Sequence, residues 1–257
     1  KEHLNSIFFN IIDSDLFFTG DNNLIPIYLL SDDKFYANTS YSLHNLGGWA
    51  TITIKDGKKV TFDNIVFDSN EWPQQDDIDL LINNYGTLTI TKSIINKHVA
   101  ITGNSSDITI NTSAIYGSIN TQTKNIDNNW WGVNQLPQYI QANNHIVLSI
   151  YTEEVPPIIG TDVIVYAELK STNGLRYDLP PIDFTFSANT GTFSVEHGKM
   201  IDGKIQTTYI DCTEETSIYC TIDNETVSLD ILDYDHNIEL IFEHNMEIPI
   251  GYQVPIS

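Results

Sequence analysis

Residues Asn125-Ile126-Asp127-Asn128-Asn129-Trp130-Trp131-Gly132 separate two parts of the chain that have different patterns. Short β-rich segments punctuated by Asn and Thr precede this stretch, and segments typical of a β-sandwich follow it. Two adjacent tryptophans can cover a large apolar area. Because the last coil of a parallel β-helix is open and must be covered, we interpret Asn129, Trp130, Trp131 and Gly132 as a structural cap. The alternative is that the tryptophans are two core residues before a turn glycine.

Three segments that precede this stretch can be laid over one another. Each begins apolar-Thr-apolar, continues with two polar residues and then resumes with apolar residues. They are Val60–Phe67, Leu88–Ile95 and Ile108–Ile115, with offsets of 28 and 20 residues. A period in this range indicates a solenoid.

Another β-rich piece lies one turn ahead of each segment, at Ala50–Ile54, Asp79–Asn83 and Val99–Ile101. Each coil would then consist of strand, Gly/Asn turn, strand, polar corner and strand. This layout predicts an all-β chain in which residues 1–134 form a right-handed parallel β-helix, with equivalent side chains about 4.8 Å apart. An antiparallel sandwich of meandering hairpins is the alternative. Earlier strands are predicted at Ser6–Ile12, Leu16–Phe18 and Leu24–Leu30, and a corner loop at residues 68–78.

The pattern changes after Gly132. Residues 135–144 are predicted to be a linker, residues 145–232 an immunoglobulin-like β-sandwich, and residues 233–257 a tail or the start of a further repeat. Turns are predicted at Asn173-Gly174, Pro180-Pro181, His197-Gly198, Asp202-Gly203 and Asp223-Asn224. Seven strands are predicted at residues 145–151, 163–169, 182–187, 191–195, 204–210, 217–222 and 227–232.

Two stretches carry a resemblance to known surface proteins. Asn128-Asn129-Trp130-Trp131-Gly132 resembles the signature that closes β-helical repeats in adhesin-like proteins of methanogenic archaea. Residues 181–209 are similar to immunoglobulin-like repeats of bacterial and archaeal surface stalks. The resemblance implies an extracellular, cell-surface repeat protein that acts in cell adhesion. A pattern that starts in the middle of a coil predicts that the chain is a fragment of something longer, and we expect this fragment to be monomeric.

The charge of the chain excludes some partners. The formal net charge is −22, and Arg176 is the one arginine in 257 residues. Such a surface repels phosphate backbones, so we expect no nucleic-acid partner. Anionic membrane surfaces are disfavoured for the same reason, and no apolar stretch approaches the length of a membrane span. The charge does not identify a partner; the resemblance implies a glycan or a protein on the surface of another cell.

The sequence contains no recognisable catalytic motif. None of the seven histidines belongs to a zinc-hydrolase motif, and no nucleophile elbow or phosphate-binding loop is present. We therefore predict a protein that is not an enzyme and that needs no cofactor.

One acidic cluster is the best candidate for ligand binding. It consists of Asp76, Asp77 and Asp79 beside Trp72, whose ring can stack on a sugar. Its oxygen atoms are also compatible with calcium. The alternative function is a polysaccharide-active β-helix enzyme, a lyase or glycoside hydrolase, in which these carboxylates act as acid and base. The shortage of arginine to neutralise an acidic sugar counts against a lyase.

Two kinds of covalent modification are compatible with export. Cys212 and Cys220 are too far out of register to pair in a simple hairpin, whereas a connection that crosses between two sheets would allow a disulfide. Four Asn-x-Ser/Thr sequons are candidates for glycosylation. They begin at Asn38, Asn104, Asn111 and Asn224.

Overall fold

The computed structural model describes residues 16–18, 25–29, 33–45, 50–54, 56–67, 80–103, 107–121, 124–153, 162–210 and 214–231. Within these ranges the fold is all-β, as predicted, and contains no helix. Thirteen of the described strands precede Trp130 and form the parallel part of the molecule. Eight of the described strands follow it and form the antiparallel part.

The parallel part consists of two parallel sheets. The first sheet has the strand order β1-β3-β5-β7-β10-β13. The short strand β8 also pairs with β5 in this sheet, and β11 pairs with β8. The second sheet has the order β12-β9-β6-β4-β2. From β4 onward the chain alternates between the two sheets. The strands are β1 Leu16–Phe18, β2 Ile25–Leu29, β3 Asp33–Asn45, β4 Ala50–Ile54, β5 Lys59–Phe67, β6 Leu80–Asn84, β7 Thr87–Thr91, β8 Ile94–Ile95, β9 Val99–Gly103, β10 Asp107–Asn111, β11 Ala114–Ile115, β12 Ser118–Thr121 and β13 Lys124–Asn125.

Every pair of strands described in this part is parallel, so the antiparallel alternative is wrong here. The predicted superposition is confirmed, because Val60, Leu88 and Ile108 are register partners on β5, β7 and β10. The three side chains are buried, at 1%, 0% and 1% exposure. Along β7 and β10 alternate residues are buried. Full burial of one such side chain stabilises the fold by about 1.5–3 kcal/mol relative to exposure.

Strand β3 was not predicted. It pairs with β5, but the register shifts between Tyr36 and Tyr41. Extra residues at a bulge disturb the two-residue periodicity on which a strand prediction depends. The predicted strands at Leu16–Phe18 and Leu24–Leu30 are confirmed as β1 and β2, whereas Ser6–Ile12 lies outside the described residues.

The antiparallel part consists of two four-stranded sheets. Sheet three has the order β14-β15-β19-β17, and sheet four has the order β18-β16-β20-β21. All described strand pairs in these sheets are antiparallel. The strands are β14 Ile146–Thr152, β15 Val163–Ser171, β16 Ile182–Ala188, β17 Thr192–Phe193, β18 His197–Met200, β19 Lys204–Ile210, β20 Thr216–Ile222 and β21 Glu225–Ile231.

One predicted turn of this part is wrong. His197 and Gly198 begin β18, which pairs with β16. A side chain at Gly198 would have its Cβ 3.5 Å from the Phe184 ring. The glycine therefore lies against an aromatic ring inside a strand, a use that the sequence does not distinguish from a turn.

Two apolar cores result. One is enclosed by the two parallel sheets, and Trp131, Ile140 and Ala142 pack against it. The other lies between sheets three and four, and it includes Ala114 and Trp130 from the preceding part of the chain. The two parts of the molecule are therefore joined by buried apolar contacts.

Candidate functional site

The predicted binding residues Trp72, Asp76, Asp77 and Asp79 lie outside the described residues. The described chain ends at Phe67 on β5 and resumes at Leu80 on β6. Residues 68–79 therefore connect the first sheet to the second. Their role in binding stays a prediction.

The tryptophan motif begins with a buried ladder of hydrogen bonds, which we call the corner ladder. It consists of Ile65, Ser93, Ser113 and Asn129, one residue from each of four successive corners. The Ser93 hydroxyl accepts from the Ile65 N–H at 3.0 Å, and the Ser113 hydroxyl accepts from the Ser93 N–H at 3.1 Å. Asn129 Oδ1 then accepts from the Ser113 N–H at 3.0 Å. The three polar members are all fully buried.

A left-handed residue precedes each member of the corner ladder. These residues are Asn64, Lys92, Thr112 and Asn128, with φ between 49° and 60°. Asparagine tolerates this conformation better than lysine or threonine. The corners therefore share a backbone shape that only two of the four side chains favour intrinsically.

Asn129 differs from the serines because its amide group also donates two hydrogen bonds. Asn129 Nδ2 lies 2.6 Å from the carbonyl oxygen of Ile110 and 2.8 Å from that of Ile126. One side chain thus satisfies carbonyl groups of two successive corners. The asparagine of the predicted cap has a definite structural role, which is to close the corner ladder.

The two tryptophans point in opposite directions. Trp130 forms a parallel bridge with Ala114, is fully buried and belongs to the core of the antiparallel part. Trp131 packs against the core of the parallel part. Opposite directions follow from the alternation of side chains along an extended chain. The motif therefore covers the parallel core on one side and enters the antiparallel core on the other.

Residues 143–146 add a further layer of hydrogen bonds to the last corner. The Asn128 N–H donates to the Asn144 carbonyl at 2.8 Å, and the Ile146 N–H donates to the Asn129 carbonyl at 2.9 Å. Asp127 accepts two hydrogen bonds from Asn143, at 2.7 and 3.0 Å. The end of the predicted linker thus pairs with backbone groups that an open end would leave exposed.

Asp223 holds the junction from the antiparallel side. Its Oδ2 accepts from Trp130 Nε1 at 2.6 Å and from the Tyr116 hydroxyl at 2.8 Å. Burial raises the pKa of Tyr116 far above its usual value, and the Asp223 carboxylate raises it further. The phenol is therefore a permanent donor. Gly132, with φ of +78°, places its carbonyl 3.2 Å from the Asn224 N–H.

A second polar contact joins the two parts at the surface. Lys92 donates to Asp178, and the bond raises the pKa of Lys92 while it lowers the pKa of Asp178. The neighbouring Asp178 raises the pKa of Asp202. Because the Lys92 and Asp178 side chains are 45% and 53% exposed, the ion pair is screened and adds at most about 1 kcal/mol.

Asn134 blocks the free edge of β14. Its Oδ1 accepts from the Leu148 N–H at 2.5 Å, and its Nδ2 donates to the Leu148 carbonyl at 2.9 Å. The side-chain amide thereby imitates one residue of a neighbouring strand. The Asn134 N–H donates to Glu225 on β21 at 2.8 Å. Sequence reasoning missed both Asn134 and Asp223, because each acts on residues that are distant along the chain.

The four predicted glycosylation sites differ in their position and exposure. Asn224 is exposed in the turn between β20 and β21, and Asn111 is half-buried at the end of β10. Asn38 lies within β3, and Asn104 is outside the described residues. Glycosylation of all four stays a prediction.

The chain between β19 and β20 crosses from sheet three to sheet four. This is the kind of connection that would allow Cys212 and Cys220 to pair. Cys220 is a free, buried thiol, and burial raises its pKa to about 12. Cys212 lies outside the described residues, and because Cys220 is free the structure does not contain the candidate disulfide.

The described residues contain no group of three or more His, Cys, Asp or Glu side chains that could hold a metal ion. The predicted calcium ligands fall outside this part of the chain. Where the chain is described, no helix has the length and apolarity needed to cross a membrane. Comparisons of the chain with protein-family models, with curated proteins and with solved structures found no match.

Proposed function

We propose that the chain is a fragment of an extracellular adhesin-like protein. In this proposal residues 1–134 are the last coils of a right-handed parallel β-helix that acts as a rod. Residues 145–232 are an immunoglobulin-like stalk domain. Recognition is non-covalent, and the ligand is a glycan or protein on the surface of another cell. The chain acts as a monomer and catalyses no reaction.

The observation that carries the proposal is the alternation of successive strands between two parallel sheets. Each passage between the sheets creates a corner, and a corner is where a loop can extend without disturbing the stacked strands. The loop of residues 68–79 connects β5 to β6 at such a corner. A stacked scaffold supports recognition because it holds the loops in place before the ligand binds.

The buried junction is a second support. Trp130 and Asn129 are neighbours in sequence, yet one lies in the antiparallel core and the other closes the corner ladder. A stalk attached in this way transmits orientation from one part to the other. A flexible linker would leave the two parts free to rotate.

A glycan array and a cell-binding assay test the proposal, each with and without a chelator. Specific binding that is reduced by Trp72→Ala or Asp77→Ala is expected. Binding that the chelator abolishes would assign calcium to the same loop. If neither assay shows binding, the chain is a structural spacer and the recognition function is refuted.

The enzymatic alternative has its own test. The chain is incubated with acidic and neutral polysaccharides, and new reducing ends and unsaturated products are measured. The proposal expects no product. Turnover that disappears in Asp77→Ala would establish a polysaccharide-active enzyme and overturn the adhesin-like function.

A further inference from the structure

The outer face of sheet three carries two tyrosines in direct cross-strand contact. Tyr151 on β14 and Tyr166 on β15 are register partners. Their ring centroids are 5.3 Å apart and their planes differ by 20°. Both side chains point away from the core, because their strand neighbours Ile150 and Val165 pack against it. The rings are half-buried, so part of each remains open to solvent.

Lys204, on the next strand, completes a feature that we call the tyrosine face. Its Nζ lies over the Tyr166 ring, 4.4 Å from the centroid, and 5.8 Å from the centroid of Tyr151. An ammonium group at this distance is attracted by the electrons of the ring. Its N–H groups remain able to donate to a ligand. A ligand that pairs with the ammonium group is therefore held against the aromatic rings.

Several charged side chains surround the tyrosine face. Outward positions of β15 and β19 carry Lys170, Lys204 and one carboxylate, Glu168. Glu168 is mostly buried, and its Oε1 lies 3.1 Å from Arg176 Nε. Exposed carboxylates also lie nearby, because Glu153 follows Tyr151 by two residues and Asp162 directly precedes β15. An anionic ligand is therefore favoured by the ammonium group of Lys204 itself and not by an excess of positive charge on this face.

The outer face of sheet four provides a contrast. Its exposed cation Lys199 lies 3.7 Å from Asp183, which is its register partner on the neighbouring strand. Tyr219 also occupies an outward position on that sheet, because its neighbours Ile218 and Cys220 are buried. Sheet four therefore also offers a lysine and an outward tyrosine, but Lys199 is more exposed than Lys204 and already lies beside a carboxylate.

We propose that the tyrosine face binds a carboxylated sugar of the uronic acid type. The C–H groups on one side of a pyranose ring pack against the tyrosines, and the sugar carboxylate pairs with Lys204. Charge-assisted hydrogen bonds of this kind are stronger than those to neutral groups. The site rests on the proposed recognition function and names a ligand class for it, on the stalk side of the molecule.

Isothermal titration calorimetry with an oligogalacturonate tests this site, and the methyl-esterified oligomer is the neutral control. Binding of the acid at least tenfold tighter than binding of the ester is expected, with weakening as salt is added. Lys204→Gln and Tyr151→Ala should each reduce affinity at least tenfold. Lys199→Gln and Tyr219→Ala should leave it unchanged. Lys204→Gln keeps both rings in place, so it separates loss of the cation from loss of fold.

Three results would overturn the site: no binding of the acid, equal binding of acid and ester, or binding that survives both Lys204→Gln and Tyr151→Ala. The glycan array distinguishes this failure from failure of the proposed function. Array binding that persists in both variants places recognition elsewhere on the chain and refutes only the tyrosine face. An array without any binding refutes both.

Discussion

Replacement of Asn129 by aspartate tests whether the corner ladder holds the last coil. The change keeps the size of the side chain and its acceptor, so the Ser113 N–H retains a partner. It removes the N–H groups that now donate to the carbonyls of Ile110 and Ile126, at 2.6 and 2.8 Å. At neutral pH it also places a negative charge at a site with no exposure, facing two carbonyl oxygens.

The expected loss in the free energy of unfolding is about 3–5 kcal/mol at pH 7. Such a loss is typical when a buried charge has no compensating partner. The two lost hydrogen bonds account for about 1 kcal/mol each, and desolvation of the carboxylate accounts for the remainder. Burial also raises the pKa of the introduced carboxyl above its unfolded value of about 3.9. The folded variant therefore takes up a proton as the pH falls from 7, and its deficit relative to the wild type becomes smaller.

Asn128→Asp is the matched control, because it makes the same chemical change one residue earlier. Asn128 Oδ1 accepts from the Ser171 hydroxyl at 2.8 Å, a role that a carboxylate retains. Its φ of 59° is also tolerated by aspartate. We expect a change of less than about 1 kcal/mol.

Urea denaturation, followed by tryptophan fluorescence at pH 7 and pH 4.5, measures both variants. If the corner ladder holds the end of the parallel part, the two variants should differ strongly in the free energy of unfolding at pH 7 and less strongly at pH 4.5. Equal stabilities at pH 7 would refute the reasoning, since the amide donors of Asn129 would then contribute nothing.

Three further predictions concern the two cores. Trp130→Phe removes the charge-assisted hydrogen bond to Asp223 and should lower the free energy of unfolding by about 3 kcal/mol. Trp131→Phe removes a buried Nε1 that has no hydrogen-bond partner, so it should lower the free energy of unfolding by less. Equal urea midpoints for the two variants would contradict this difference between the two environments. Gly191→Ala should destabilise the chain by at least about 2 kcal/mol. The backbone φ at this position is +75°, and the new Cβ would lie 2.5 Å from the Tyr209 hydroxyl. An unchanged melting temperature would contradict this prediction. The folded pKa of Cys220, about 12, exceeds the ordinary 9.0, so the unfolded chain loses this proton first and stability falls as pH rises above 9. Between pH 9 and 10.5 the wild type should therefore lose about 2 kcal/mol more than Cys220→Ala, and parallel losses would exclude the thiol as the cause.

The parts of the fold that the sequence predicts are the periodic ones. Val60, Leu88 and Ile108 occupy equivalent places in a repeated pattern, and stacking places them in register. Periodicity identifies this register because a shift of one residue would turn every apolar side chain outward. Strand β3 lacks the pattern at its register shift, and it was missed for that reason.

The junction was less predictable, because its contacts depend on which surfaces meet. Alternation places Trp130 and Trp131 on opposite sides, but it does not reveal that an antiparallel core covers the outer side. Asn134 stands in a polar stretch that was interpreted as a linker, and only the position of β14 shows what its amide pairs with. The predicted binding loop, residues 68–79, stays a prediction of the sequence alone.

The end of the parallel part explains why the last corner carries asparagine. At an inner corner, the serine hydroxyl donates to a carbonyl of its own corner and accepts from the preceding one, as Ser113 does. In the described part of the chain no parallel strand follows Asn129, and residues 143–146 continue the hydrogen bonding instead. A side chain with one acceptor and two donors can accept from the preceding corner and donate to carbonyls of both corners at once, whereas a hydroxyl has only one hydrogen to donate. Because β14 begins at Ile146, the same residues that close the parallel part also fix the first strand of the antiparallel part. Weakening the ladder at Asn129 should therefore destabilise both parts together, and the proposed function requires this coupling if the proposed stalk is to hold the proposed rod in one orientation.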